Sequence, residues 1–197
     1  MKIESDLLGI DFFEDEIFSE RHLPQNTKIA EVEFHGCTFI NCKFSKVIFF
    51  DCRFENCRFQ NCDLSSILIT HSVFDGVLFE ESKLTGIQWA DSGIPLDVKF
   101  RQCSLNYCSF IGVDLRGTEM TNCIIKEADF SETNLSKSNC RYSDFTGARF
   151  ANTNLQYTDL SHASNYSIHP DGNKLKKTVF SSPDVLSLLD AYDIVIK

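Results

Sequence analysis

The chain has 197 residues, of which 43% are hydrophobic, and a formal charge of −9 at neutral pH. That length suits one domain with a small cap or tail, and that apolar content supports a packed core and excludes a disordered chain. The negative balance argues against direct binding to nucleic acid, which needs cations to displace counterions, and suits a partner with a basic surface.

Residues 1–30 are expected to form an N-terminal cap and an irregular first coil. Residues 1–20 hold seven acids and one lysine, so much of the net charge gathers at this tip. The opening Met1-Lys2-Ile3-Glu4-Ser5-Asp6 is acidic and unlike a basic leader. No apolar run nears the ~20 residues that span a bilayer. The expectation is a cytoplasmic protein that engages no membrane. Leu7 to Phe18 mixes Phe12 and Phe13 with Asp11, Glu14, Asp15 and Glu16, which predicts a short lid over the first coil. Phe18, Leu23 and Ile29 then set up a loose repeat, with Pro24 as a one-residue insertion.

From Glu31 the sequence repeats every five residues. Units such as HGCTF, INCKF, FDCRF and ENCRF each end on a large apolar residue. In order these are Phe34, Phe39, Phe44, Phe49, Phe54, Phe59, Leu64, Ile69, Phe74, Phe79, Leu84, Trp89 and Ile94. One extra residue near Pro95 breaks the frame, which resumes at Phe100, Leu105, Phe110, Leu115, Met120, Ile125, Phe130, Leu135, Cys140, Phe145, Phe150, Leu155 and Leu160. The break reads as a turn or bulge and not as a domain boundary. Two residues before each large one sits a slim residue, and eight of the nine cysteines fall in this slot. The thiols read as small buried hydrophobes, because stacked side chains lack the crossing geometry of a disulfide.

A period of five fits neither a helix nor an ordinary strand. Two inward positions in five suit a chain that turns a corner after every unit, and the coils then stack as a solenoid. The large residue, the Ala, Cys, Ser, Thr or Val two before it, and the Asp or Asn between them resemble the pentapeptide-repeat family over Glu31 to Leu160. That resemblance implies an all-β fold, a right-handed quadrilateral β-helix with four units per coil, over residues 31–165. Residues 20 apart then stack. One column runs Phe34, Phe54, Phe74, Ile94 and on to Leu115, and the next runs Phe39, Phe59, Phe79, Phe100, Met120, Cys140 and Leu160. The inward core residues are Phe34, Phe39, Phe44, Phe49, Phe54, Phe59, Phe74, Phe79, Phe100, Phe110, Phe130, Phe145 and Phe150.

Residues 166–197 are expected to form a loop, a short helix and a tail, with 166–178 either that loop or a last irregular turn. Ser181-Ser182-Pro183-Asp184 carries helix-start signals, and Val185, Leu186, Leu188, Leu189 and Tyr192 give an amphipathic stretch. Ile194-Val195-Ile196 reads as a bare strand. An apolar helix with a bare strand at a solenoid end predicts a cap or a dimer interface. The tail resembles the end of quinolone-resistance pentapeptide-repeat proteins, which implies a homodimer through Leu186, Leu189, Tyr192 and Ile194.

Nothing in the sequence resembles a catalytic set, a phosphate loop or a metal motif, so neither enzyme activity nor a cofactor is expected. The family resemblance extends to quinolone-resistance proteins and to the immunity factor for a gyrase-attacking microcin. It implies a dimeric acidic rod that imitates duplex DNA and binds DNA gyrase or topoisomerase IV, shielding it from drug or toxin. Asp114, Glu119, Asp129, Asp144 and Asp159 are the acids such binding would use. The 20-residue rule spreads them over all four faces, and Lys43, Arg53, Arg58 and Lys99 interrupt any stripe. The other reading is a scaffold for an unrelated protein partner.

Overall fold

The computed structural model describes residues 11–192 and 194, apart from the side chain of Ala191. The chain winds as a right-handed, all-β solenoid closed by a short C-terminal helix. Its strands are short, mostly three residues as at Glu33–His35 and Thr38–Ile40, and every pairing is parallel to the coil above or below. Four faces follow one another along the chain. The first carries Phe13 and Phe34, the second Phe18 and Phe39, the third Leu23 and Phe44, and the fourth Ile29 and Phe49.

The period of five has a backbone cause. Two residues beyond the large apolar residue of nearly every unit the chain enters the left-handed region, as at Asn41 (φ 54°), Asn56 (φ 53°) and Asn61 (φ 52°). One such residue per unit turns the corner, which is where Asn and Gly meet the least steric penalty. Gly36 (φ 63°) illustrates it: a Cβ there would lie 2.2 Å from Asp15 Oδ1 in the preceding coil.

The second face gives the clearest ladder. Phe18, Phe39, Phe59, Phe79, Phe100 and Met120 are in register, and backbone bridges extend the column through Asn139 and Asp159 to Val179 and Phe180. Aromatic rings stack along the columns of the first, second and fourth faces, while the third is mostly aliphatic. Phe34 to Phe54 is 4.9 Å, Phe54 to Phe74 5.0 Å, Phe39 to Phe59 4.4 Å and Phe110 to Phe130 4.9 Å. All thirteen phenylalanines assigned to the core are buried, with Phe150 the most exposed at 7%.

The slim slot has a second role besides fitting a narrow interior. Its side chains donate hydrogen bonds to main-chain carbonyls one coil back. Thr158 Oγ1 reaches Leu135 O at 2.6 Å, Ser143 Oγ reaches Met120 O at 2.7 Å, and Cys57 Sγ reaches Phe34 O at 3.2 Å. Cys, Ser and Thr share one donor atom attached to Cβ, which is why they interchange here. All nine cysteines are buried free thiols. Burial pushes Cys57, Cys108 and Cys140 up to about 12, so all three are protonated at neutral pH, Cys57 and Cys108 as donors from the slim slot and Cys140 in a large-residue place.

Two sequence expectations are corrected. Ile94 does not enter the core column; it is 88% exposed, and Leu96 takes the place over Phe74. The break inserts two residues before Leu96 and removes one at the next corner, where the register shifts between Leu96 and Val98. Gly93 lets this loop fold back, because a Cβ there would sit 2.7 Å from the His71 carbonyl. Second, Phe12–Glu14 is no lid: it pairs in register with Glu33–His35, and Phe13 stacks on Phe34 at 5.3 Å. The earlier part of that expected lid lies outside the described residues. Residues 166–178 form the last, irregular turn of the coil rather than a loop. Tyr166 and Ile168 are buried, Asn154 bridges Lys174, and the coil closes at Val179–Phe180.

Beyond that coil, Asp184–Tyr192 forms a 3₁₀ helix. Leu188 packs against the core, and Ser187 Oγ donates to Tyr166 O at 3.1 Å, so the helix lies on the end of the solenoid.

Candidate interaction surface

Each unit presents three outward side chains: one at the middle of a face and two at the following corner. Stacking turns these into columns about 4.8 Å apart. The five acids chosen from the sequence all occupy mid-face positions. Asp114 lies on the first face, Glu119 and Asp159 on the second, Asp144 on the third and Asp129 on the fourth. The structure does not bring them together.

Each of the five also has a basic neighbour. Arg116 meets Asp114 at 2.7 Å, and Arg101 meets Glu119 through two nitrogens, the closer at 2.8 Å. Lys126 lies 3.2 Å from Asp144, while Arg141–Asp159 and Arg149–Asp129 are looser at 3.9 Å. Hydrogen bonding from Arg116 and from Arg101 holds Asp114 and Glu119 below the usual carboxylate range. For Asp144 partial burial acts upward, but bonds from Thr146 and Asn165 outweigh it and bring the group to about 2. Asp114, Glu119 and Asp144 are therefore ionised at neutral pH, and all five acids are locally compensated.

Three of these pairs share one pattern, in which a corner base precedes a mid-face acid of the next coil by 18 residues: Arg101 and Glu119, Lys126 and Asp144, Arg141 and Asp159. That offset is readable in the sequence once the corner and mid-face columns are distinguished.

Acids of a different column are less compensated. The corner between the fourth and first faces carries Glu31, Asp51, Asp91 and Glu132, with no Lys or Arg among its members. Three of the four sit at left-handed corner residues, at φ 59° for Glu31, 51° for Asp51 and 60° for Glu132. His71 belongs to the same corner and lies 3.4 Å from Asp51. Sequence reasoning passed over this column because it weighted the position just before the large residue. Collecting the second residue after it every 20 positions would have revealed it.

Of the tail residues, Leu186 is 43% exposed, Tyr192 48% and Ile194 54%, while Leu189 is half-buried. Val195 and Ile196 lie outside the described residues. Among the described residues no group of three or more His, Cys, Asp or Glu could hold a metal ion, and no helix is long and apolar enough to cross a membrane.

A family model for the pentapeptide repeat region matches residues 32–107 and 95–160, two spans that overlap across the break. No curated protein matches the sequence. Two trypsin-treated structures of QnrB1, a plasmid-mediated fluoroquinolone resistance protein, are similar at 17% and 18% identity. They cover 92% and 94% of this chain and 99% of their own, each with a TM-score of 0.57. HetL, a pentapeptide repeat protein involved in heterocyst differentiation regulation from the cyanobacterium Nostoc sp. strain PCC 7120, is 15% identical. It covers 87% of both chains at a TM-score of 0.51. At such identities the likeness is one of fold. The repeat, its coil-by-coil register and the family match agree: the chain belongs to the pentapeptide-repeat family.

Proposed function

We propose that this chain is a non-catalytic protein-interaction rod, working through charged columns on its faces and corners without a cofactor. The observation that carries this reading is the regular outward ladder. It offers long lines of side chains at strand spacing, and the strongly shifted groups are buried structural thiols, the buried Tyr166 phenol, or a carboxylate, Asp144, already paired with a base. Such a surface suits a partner that is itself extended and charged.

The finer reading names that partner as a type II topoisomerase, DNA gyrase or topoisomerase IV. Its support is the acidic corner of Glu31, Asp51, Asp91 and Glu132, which runs along the rod without an intervening Lys or Arg. A groove evolved for duplex DNA is lined with cations that such a column can engage. QnrB1 is described as a fluoroquinolone resistance protein and shares the fold, and fluoroquinolones act on these enzymes. The rod would occupy the DNA site and shield the enzyme from drug or toxin. Tail-to-tail pairing through Leu186, Leu189, Tyr192 and Ile194 would double the length of the column.

The alternative is a scaffold for an unrelated protein, favoured by the pairing of Asp114, Glu119, Asp129, Asp144 and Asp159 with bases. Supercoiling by purified gyrase, titrated with the chain with and without a quinolone, separates the two. Inhibition or drug protection at micromolar protein supports the topoisomerase; no effect at large excess leaves the scaffold.

A further inference from the structure

The first face changes sign along its length. Over its first five layers it carries Glu14, Asp15, Glu33, Glu55, Asp75 and Asp97 against Arg53 alone, a net of five negative charges with His35 neutral. Over its last four layers it carries Arg116, Lys137, Lys174, Lys176 and Lys177 against Asp114 alone, a net of four positive charges. Stacking is direct in both stretches. Glu14, His35, Glu55 and Asp75 are in register, and the amides of Gly117, Lys137 and Tyr157 bond the carbonyls of Ser136, Gln156 and Lys176. Lys137, Lys174 and Lys176 are exposed and have no carboxylate within ion-pair distance among the described residues; Lys177 lies over the Tyr157 ring at 5.6 Å.

The sign changes at the break. There the edge toward the fourth face bears a shallow apolar groove lined by Ile94, Pro95, Leu96 and Ile111, and bounded by Asp114. Ile94 is 88% exposed and Ile111 45% exposed. An apolar centre flanked by opposite charges is self-complementary under one operation only. This is a two-fold axis lying in the face, perpendicular to the rod, between the layers of Asp97 and Arg116. It brings Asp97 to Arg116, Asp75 to Lys137, and Glu33 to the Lys174–Lys176 layer of a second copy, while the same edge of each rod meets its mate. A parallel arrangement would set like charges against each other. Closed two-fold pairing through one patch is the commonest geometry of homo-oligomers.

We infer that two copies of this chain associate side by side and antiparallel through the first face, with Ile94 and Ile111 at the centre and charge pairs on both flanks. This dimer is independent of the topoisomerase reading and distinct from tail-to-tail pairing, since it uses neither Leu189 nor Tyr192.

The test is sedimentation of the full chain with two charge-reversed variants, each checked for native circular dichroism. One is Lys137→Glu/Lys174→Glu/Lys176→Glu; the other is Glu33→Lys/Glu55→Lys/Asp75→Lys. The parent chain is expected to sediment as a dimer at ~20 mM salt and to weaken at least tenfold at ~500 mM, where charges are screened beyond a few ångströms. Each variant alone is expected to be monomeric, and an equimolar mixture of the two to restore the dimer, because the reversed half of one variant then faces the reversed half of the other while the two unreversed halves meet. Ile94→Asp weakens association without altering the mixing rule. A parent chain that stays monomeric at ~100 μM and low salt overturns the inference, as does a dimer that each reversed variant keeps on its own.

Discussion

Phe54→Ala measures how the solenoid is held together. Phe54 is fully buried between the stacked rings of Phe34 at 4.9 Å and Phe74 at 5.0 Å, with Phe49 and Phe59 edge-on at 5.3 and 5.6 Å. Truncation removes the transfer free energy of the ring and opens a cavity between two coils, which together cost ~3–5 kcal/mol. Part of that is aromatic pairing, at ~0.5–1.5 kcal/mol for each stacked neighbour. Because each coil is buried only by its neighbours, the loss falls on both interfaces of the third coil and cannot be absorbed by a distant core. Phe13 belongs to the first described layer and is only half-buried, with a stacked ring recorded on one side, Phe34. Phe13→Ala is accordingly expected to cost about half as much. Urea denaturation followed by far-ultraviolet circular dichroism gives both values, and the double variant Phe34→Ala/Phe54→Ala gives the coupling. A loss at Phe54 below ~1.5 kcal/mol, or equal to that at Phe13, would refute the nearest-neighbour account.

Other expectations follow from single contacts. Thr158→Val keeps the shape but loses the 2.6 Å bond to Leu135 O, a carbonyl that retains the Ser138 amide; the cost should be ~1 kcal/mol by urea denaturation. Asp144 is held at about 2, below its unfolded value, so its contribution is present above the unfolded pKa and fades as pH falls through the native one. The carboxylate is partly exposed and its bonds are screened by solvent, so the contribution should be about 1 kcal/mol. Asp144→Asn should show a smaller loss of stability between pH 5 and pH 2 than the parent chain, and equal losses would remove Asp144 from the acid response. Leu189→Asp should abolish tail-to-tail pairing if the tail joins two rods, and an unchanged sedimentation mass would exclude that joint.

Much of the interior was legible because one inward residue in five is large and the spacing is rigid. Phe39 over Phe59 over Phe79 followed from counting once the family resemblance supplied four units per coil, and so did the one-residue step to Phe100. Counting failed where backbone geometry overrode it. Ile94 has the right place in the frame, but Gly93 turns the loop back against His71 and Leu96 fills the column instead. At the C-terminal end the frame is diluted by Tyr166, Ile168 and Pro170, so the sequence left a loop and a last irregular turn both open, and main-chain bridges close the turn. The charge layout was hidden for a different reason. Pairs such as Arg101 with Glu119 cross between coils at an offset set by the corner, and the sign change on the first face emerges only when mid-face and corner columns are combined.

The most direct measurement of the proposed function is competition between the rod and duplex DNA for purified gyrase, read by fluorescence anisotropy of a labelled duplex. The account predicts that the chain displaces the duplex in a salt-sensitive manner. It further predicts that Glu31→Lys/Asp51→Lys/Glu132→Lys, folded by circular dichroism, loses that ability, while Asp114→Asn retains it because Arg116 already compensates that carboxylate. Displacement that is indifferent to the corner acids, or none by the parent chain at large excess, would contradict it.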